Sequence, residues 1–189
     1  MRIIAGKLKG SILHIPKDKN TRPLKDMVRE SIFNLLAHSN KIPLQLRQTN
    51  ILDLYAGTGS FGLECLSRQA QRVYFIENQK SAFEILEKNI EKLKIKKKTK
   101  TFFNDVFNLI KKQNIFLSKF DLIFCDPPFK DKHAEQLIEL IFNRNLLKKN
   151  GIIILHRNKT VKEKLPNNFN ILDERVYGAS KIIFGKLLT

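Results

Sequence analysis

Along most of the chain, the spacing of hydrophobic residues switches between a pattern typical of β-strands and a pattern typical of α-helices. From residue 51 to residue 156, short apolar runs typical of strands are separated by segments in which apolar residues recur every three or four positions. This order predicts strands over 51–55, 72–77, 99–104, 122–125 and 152–156, with helices over 60–67, 81–93, 106–112 and 134–147. Strands that alternate with helices in this way form a mostly parallel α/β sheet that helices cover on both faces.

The two ends of the chain depart from this alternation. Residues 169–176 and 181–187 are strand-like runs around a short turn, which predicts an antiparallel hairpin. Residues 1–17 alternate apolar and basic residues and predict a small basic hairpin, followed by an amphipathic helix over 25–37. We therefore expect an N-terminal appendage of residues 1–40 and a main domain of residues 41–189.

The composition is strongly basic. The formal net charge is +17 and the pI is about 10.0, which favours a polyanionic partner and most simply a nucleic acid. Lysine, isoleucine and asparagine are abundant throughout, so part of the charge reflects a compositional bias. Arg2, Lys7 and Lys9 in the predicted hairpin are candidates for phosphate contacts, with ordinary solvated side chains as the alternative.

Other classes of protein find little support in the sequence. Cys65 and Cys125 lie far apart, with no Cys-x-x-Cys pair and no histidine nearby, so neither a disulfide framework nor a metal site is predicted. The N-terminal residues carry charges where a signal peptide needs an apolar stretch, and no run approaches the ~20 apolar residues of a membrane span. We expect a reduced, cytoplasmic, monomeric protein that does not bind membranes.

Acidic residues mark the ends of four successive predicted strands. Asp53, Glu77, Asp105 and Asp126 each lie at or just beyond the end of a strand. Because the carboxyl ends of parallel strands meet at one edge of a sheet, we expect these side chains to line one ligand site.

The turn after the first strand is rich in glycine, since residues 53–59 read Asp-Leu-Tyr-Ala-Gly-Thr-Gly. Gly57 and Gly59 allow the backbone to approach a ligand closely, and Glu77 lies where nucleotide-binding sheets place a carboxylate on ribose hydroxyls. No Walker lysine follows, and Asp53 would repel a pyrophosphate but attract the amino group or sulfonium of S-adenosylmethionine. A surface carboxylate beside a structural glycine turn is the alternative.

The fourth strand runs into Asp126-Pro127-Pro128-Phe129. The prolines cannot continue a ladder, and their fixed φ angles make the turn stiff. The Asp126 carboxylate and the Pro127 carbonyl offer acceptors to a flat, amino-bearing ring, and Phe129 offers an aromatic face. A rigid turn without chemistry is the alternative. Lys130 and Lys132 beside it are further candidates for phosphate contacts.

Taken in order, these motifs resemble those of class I S-adenosylmethionine-dependent amino-methyltransferases. The opening residues 1–6, the Thr21-Arg22-Pro23 segment, residues 28–34 and Tyr177-Gly178 are similar to the RsmD family, bacterial enzymes that methylate a guanine N2 of small-subunit ribosomal RNA. The resemblance covers essentially the whole chain. It implies a Rossmann-like sheet of seven strands with an antiparallel last strand. It also implies S-adenosylmethionine as cofactor and ribosomal RNA, in the small subunit or its precursor, as partner.

The resemblance also implies roles for individual residues. The glycine turn would line the methionine moiety, Glu77 would bind the ribose, and Asp105 with Val106 would hold the adenine. Asp126 and Pro127 would position the amino group while Phe129 stacks on the base. Arg29 would either support local structure through Glu30 or contact RNA. The implied cofactor-binding residues are Thr21, Arg22, Asp53, Tyr55, Gly57, Gly59, Glu77, Asp105, Val106 and Asp126. For Arg22, a salt-bridged or solvent-facing side chain is the alternative.

Two other functions stay open at this point. The same turn serves several exocyclic amines, so an adenine-N6 methyltransferase acting on RNA or DNA is one alternative. A nucleic-acid-binding module that keeps the fold without catalysis is the other. His133 and His156 have no partners that the sequence identifies, and we expect them to have core or surface roles.

Overall fold

The computed structural model describes residues 1–16, 26–112, 115–116, 118–128 and 130–188. Its strands are β1 Asn50–Leu54, β2 Arg72–Glu77, β3 Thr99–Phe103, β4 Phe120–Cys125, β5 Leu147–Asn158, β6 Phe169–Tyr177 and β7 Ser180–Leu187. Its helices are α1 Asp26–His38, α2 Ser60–Ser67, α3 Lys80–Lys92, α4 Val106–Lys111 and α5 Ala134–Asn143, with a 3₁₀ turn at Lys96–Lys98. Within these ranges, every helix is too short or too polar to cross a lipid bilayer.

The seven strands form one sheet in the order β3-β2-β1-β4-β5-β7-β6. Strands β1 to β5 pair in parallel, whereas β7 runs antiparallel to both β5 and β6. The strand order reverses between β1 and β4, which is where open α/β sheets bind ligands. The predicted Rossmann-like fold, with its C-terminal antiparallel hairpin, is confirmed.

Alternate residues of the central strands feed two hydrophobic clusters, one on each face of the sheet. Ile51 pairs with Leu122 and both face the cluster that α1, α2 and α3 cover. Their neighbours Leu52 and Ile123 face the cluster that α4 and α5 cover. Burial on both faces explains why these strands read as nearly continuous apolar runs.

The N-terminal ribbon, residues 1–16, folds back on itself through an antiparallel bridge between Arg2 and Ile12. Ile3 is buried in the same cluster as the central strands. The buried carboxylate of Glu64 on α2 accepts hydrogen bonds from the backbone N–H of Ile4 at 2.7 Å and of Ala5 at 3.0 Å. The ribbon is therefore packed onto the sheet domain, and the boundary at residue 40 stays a prediction.

Helix α5 ends earlier than the sequence predicts. The predicted extension to Leu147 is wrong, because Asn145 takes a left-handed conformation with φ 51° and the N–H of Leu146 bonds back to the carbonyl of Ile141 at 3.1 Å. Asparagine tolerates this conformation and ends helices in the manner of glycine. Leu147 then opens β5, opposite Phe120.

Candidate functional site

The carboxyl ends of four strands lie side by side at one edge of the sheet. The backbone N–H of Ala56 donates to the carbonyl of Ile76 at 2.9 Å, and that of Asp126 donates to the carbonyl of Leu54 at 3.4 Å. The N–H of Asn104 likewise donates to the carbonyl of Glu77 at 3.1 Å. These bonds align the segments that follow β1, β2, β3 and β4, so the acidic strand ends lie along one edge.

Asp53 lies beneath the turn that it precedes. Its side chain is buried, with 1% of the residue exposed, and Oδ2 accepts a hydrogen bond from the N–H of Gly62 in α2 at 3.0 Å. Burial raises the pKa of the Asp53 carboxyl well above its ordinary value, and the negative charges of Asp126 and Glu77 raise it further. The carboxyl therefore supports the start of α2, and its contact with a cofactor stays a prediction.

The glycine turn has a left-handed backbone at three positions. Tyr55 has φ 61°, Gly57 has φ 56° and Gly59 has φ 83°. At Gly59 a side chain is also excluded by space, because a Cβ there would lie 2.4 Å from Cδ1 of Leu86. Tyr55 is half-buried and adopts the left-handed conformation, which is energetically costly for a residue with a side chain. Such strain is frequent where a turn is shaped for a ligand.

Glu77 connects the end of β2 to the glycine turn. Its Oε2 accepts from the N–H of Gly57 at 2.6 Å, while Oε1 accepts from the N–H groups of Asn78 at 2.9 Å and Gln79 at 2.7 Å. The residue is 7% exposed. These bonds fix the carboxylate at the site edge, and its contact with a ribose stays a prediction.

Asp105 forms the N-cap of α4. Its Oδ1 accepts from the N–H of Asn108 at 2.9 Å, which satisfies one of the unpaired donors at the helix start. Val106 is buried in the cluster that α4 and α5 cover. Beside them the ring of Phe103 is exposed and lies 5.3 Å from the ring of Phe83, centroid to centroid. The predicted adenine contacts of Asp105 and Val106 stay predictions.

The turn after β4 is held from the neighbouring strand β5. The guanidinium of Arg157 is fully buried and donates to the carbonyl of Pro128 at 3.2 Å, to the carbonyl of Asp131 and to the carboxylate of Glu163. Pro127 is buried beneath the turn. The backbone of the Asp-Pro-Pro segment is thus fixed by a buried cation that the sequence analysis did not single out.

His156 contacts the Asp126 carboxylate directly, a contact that the sequence analysis missed. Its Nδ1 lies 2.7 Å from Oδ1 of Asp126 and its Nε2 lies 2.9 Å from Oγ of Ser180. The sequence position of His156 could have indicated this contact. Leu155 of β5 pairs with Cys125 of β4, so the residues that follow them, His156 and Asp126, lie side by side. That register becomes known only when the strand order is known. His133 is exposed and contacts Asp131 at 3.1 Å.

The predicted phosphate contacts divide into exposed and buried residues. Arg29 is fully buried and donates to the carbonyl of Arg2 at 2.6 Å and to Oδ1 of Asp26 at 2.9 Å. The prediction that Arg29 contacts RNA is therefore wrong in this structure, and its local partner is Asp26 rather than Glu30. The candidates with exposed side chains are Arg2, Lys7, Lys9, Lys130 and Lys132.

Three of the predicted site residues lie outside the described part of the chain. These are Thr21 and Arg22, implied to bind the cofactor, and Phe129, implied to stack on the base. Their roles stay predictions.

Comparison with known proteins gives concordant matches over the full fold. The model of the family described as conserved hypothetical protein 95 matches residues 1–186. "Ribosomal RNA small subunit methyltransferase D" of Haemophilus influenzae is 36% identical over 178 residues, which span 94% of this chain and 89% of that protein. The protein of the same name from Escherichia coli K12 is 32% identical over 181 residues, which span 94% of this chain and 85% of that protein.

Solved structures agree with these sequence matches. The structure of yhhF from Escherichia coli has a TM-score of 0.84 at 28% identity and covers 99% of this chain and 97% of its own. SMU.776, which was solved complexed with SAH, has a TM-score of 0.65 at 18% identity over 84% of this chain and 49% of its own, and shows a shared fold. On the strength of the family match and the relatives above 30% identity, this chain belongs to the conserved hypothetical protein 95 family, the RsmD family.

Proposed function

We propose that the protein transfers a methyl group from S-adenosylmethionine to the exocyclic N2 of a guanine in small-subunit ribosomal RNA. The names of its relatives support the reaction and the RNA, and the site geometry supports an exocyclic amine as acceptor. We further propose that it acts as a monomer in the cytoplasm, on the small subunit or its precursor.

The residues at the carboxyl edge fit a cationic cofactor with an amino group. The carboxylate of Glu77 lies close enough to Asp53 to raise the pKa of that carboxyl, so acidic groups are concentrated at this edge. Opposite charges within a few ångströms attract strongly in a partly buried site. Bound S-adenosylmethionine would supply an electrophilic methyl group on a positively charged sulfur. The glycine turn lets the backbone approach the methionine moiety, and Glu77 lies at the strand end suited to a ribose.

The accessible carboxylate of Asp126 is the observation that carries the proposal. Its side chain is 23% exposed, whereas Pro127 next to it is buried, so the carboxylate is accessible at the edge of the sheet on a fixed turn. One oxygen, Oδ1, contacts His156, and Oδ2 has no hydrogen-bond partner within the part of the chain that the structure describes. Oδ2 is therefore placed to accept from an incoming amino group.

Positioning is what this acceptor contributes. The lone pair of a guanine amino nitrogen is delocalised into the ring, so the amine becomes a nucleophile only when it is held in line with the methyl group. A rigid acceptor supplies that orientation, and effective molarities on the order of 10⁵ M or more are available from such positioning. The proton leaves the nitrogen after transfer, and the Asp126 carboxylate can accept it.

The RNA must present the base outside its stack, because the acceptor lies on a fixed turn at the end of a strand, where a base held in a stack does not reach it. Exposed basic side chains on the N-terminal ribbon, Arg2, Lys7 and Lys9, and beside the Asp126 turn, Lys130 and Lys132, are suited to the phosphates around it. RNA structure would then contribute to the choice of nucleotide.

The test separates binding from transfer. We expect Asp126→Ala and Asp126→Asn to bind S-adenosylmethionine with nearly unchanged affinity in calorimetry, yet to transfer tritiated methyl to small subunits at rates lower by roughly 10²-fold or more. Glu139→Gln, an exposed change on α5, is the matched control and should behave as the wild type. Wild-type transfer rates in both Asp126 variants would refute the assignment.

A further inference from the structure

Two side chains from strands β5 and β7 form one hydrogen-bonded row with the carboxylate of Asp126, which lies just beyond the end of β4. Ser180 at the start of β7 lies 2.9 Å from Nε2 of His156, and Nδ1 of His156 lies 2.7 Å from Oδ1 of Asp126. Both distances are those of good hydrogen bonds. The row is continuous from the C-terminal hairpin to the site.

The two ends of this row differ in their exposure to solvent. Ser180 and His156 are buried, at 7% and 6% exposed, whereas the side chain of Asp126 is 23% exposed. The open end is thus the carboxylate, and the serine lies at the closed end. A Ser-His-Asp row resembles a hydrolase triad in composition, but here the hydroxyl is at the buried end, where a substrate does not reach it.

The hydrogen-bonding inventory fixes what the histidine does to the carboxylate. A neutral imidazole that donates from Nδ1 to Asp126 accepts at Nε2 from the Ser180 hydroxyl, and a charged imidazole donates to both partners. In either state, Oδ1 of Asp126 is occupied and the carboxylate cannot rotate without breaking its hydrogen bond to the buried imidazole. Oδ2, the other oxygen of this partly exposed carboxylate, then keeps one orientation.

We propose that His156 is a positioning residue for methyl transfer, holding Asp126 so that Oδ2 faces the amino group of the target base, with Ser180 anchoring the imidazole. The inference rests on the proposed function of Asp126. It assigns no contact with substrate to His156. Its consequence is that kcat, more than cofactor affinity, depends on the Nδ1 contact.

The two ring nitrogens can be tested separately, because amide side chains mimic each of them. The amide nitrogen of His156→Asn lies near the place of Nδ1 and keeps a donor for Asp126, whereas that of His156→Gln reaches toward the place of Nε2 and Ser180. His156→Leu removes both contacts and keeps a similar volume.

We expect H156L and H156Q to lower kcat by roughly 10- to 100-fold, since misplacement of a reacting group by about 1 Å costs that much. H156N should recover most of the rate. The KM for S-adenosylmethionine should change by less than about threefold in all three variants, and S180A should lower kcat less than H156L does. Thermal unfolding and calorimetry of each variant give its folded fraction and cofactor binding, and H156Q carries the comparison should H156L not fold.

Two results would overturn the inference while leaving the proposed function intact. One is a wild-type kcat in H156L and H156Q when Asp126→Ala is inactive. The other is an equal loss in H156N, H156Q and H156L that follows the loss of folded protein, which would make the histidine only a packing residue. Full activity in Asp126→Ala would instead overturn the proposed function itself.

Discussion

Replacement of Arg157 should destabilise the protein through the turn that carries Asp126. The Arg157 side chain is fully buried and its ion-pair partner Glu163 has 6% of its side chain exposed. Arg157→Met fills most of the same volume but leaves the Glu163 carboxylate buried without a cation, and leaves the carbonyls of Pro128 and Asp131 without this donor. Breaking a buried pair by removing one partner costs about 3–5 kcal/mol.

The loss of stability in Arg157→Met has two parts, the uncompensated charge of Glu163 and the lost hydrogen bonds to the two carbonyls. Adding Glu163→Gln to Arg157→Met removes the uncompensated charge, so the double variant should regain part of the lost stability. The remainder belongs to the lost hydrogen bonds to the two carbonyls, which contribute about 0.5–1.5 kcal/mol each. The ion pair of Lys164 with Glu135 is the control, because the Lys164 side chain is 86% exposed and the 3.5 Å pair is screened by water. Lys164→Met should cost less than about 1 kcal/mol.

Urea unfolding followed by circular dichroism measures these free energies, provided that the transitions are two-state. Methyl transfer at saturating cofactor should also fall in Arg157→Met, since the Asp126 turn loses its support from β5. A denaturation midpoint for Arg157→Met equal to that of Lys164→Met would refute the reasoning, because it would mean that the buried pair contributes no more than an exposed one.

Two further predictions concern charge. The folded state holds the Asp53 proton more tightly than the unfolded state, so the stability that this group contributes to the cofactor-free protein is complete below its ordinary pKa of 3.8 and is lost as pH rises through the raised pKa. Asp53→Asn should flatten this decline in urea midpoints, and an unchanged decline would contradict the burial argument. Replacing Lys7 and Lys9 together by Gln should lower the slope of log affinity against log salt for ribosomal RNA by about 2, whereas the same change at Lys96 and Lys97 should leave it unaltered. Equal slopes for the two double variants would mean that Lys7 and Lys9 are ordinary solvated side chains.

The sequence predicts the sheet well because its strands are buried on both faces. Their apolar runs end at acidic or glycine residues, so the edge that carries Asp53, Glu77 and Asp126 follows from strand order alone. The ends of helices are harder to predict, because the conformation of a single residue can decide them. Asn145 ends α5 through one left-handed residue, and an amphipathic pattern that continues to Leu147 gives no sign of it.

The contacts that hold the site could not be read from the sequence. His156 meets Asp126 only because β5 pairs beside β4 in one register, and Ser180 reaches the same histidine only after the chain has returned through the C-terminal hairpin. Arg29 illustrates the opposite error. A basic residue in a basic protein suggests a phosphate contact, yet burial against Arg2 and Asp26 gives this one a structural role.

The most direct test of the account is the chemical identity of the methylated nucleoside. Small ribosomal subunits from cells that lack this methyltransferase would be incubated with the protein and labelled S-adenosylmethionine, and their RNA would be digested and analysed by mass spectrometry. The prediction is N2-methylguanosine at one nucleotide, absent when Asp126→Ala replaces the wild type. Label in N6-methyladenosine, or none in the RNA, would contradict it.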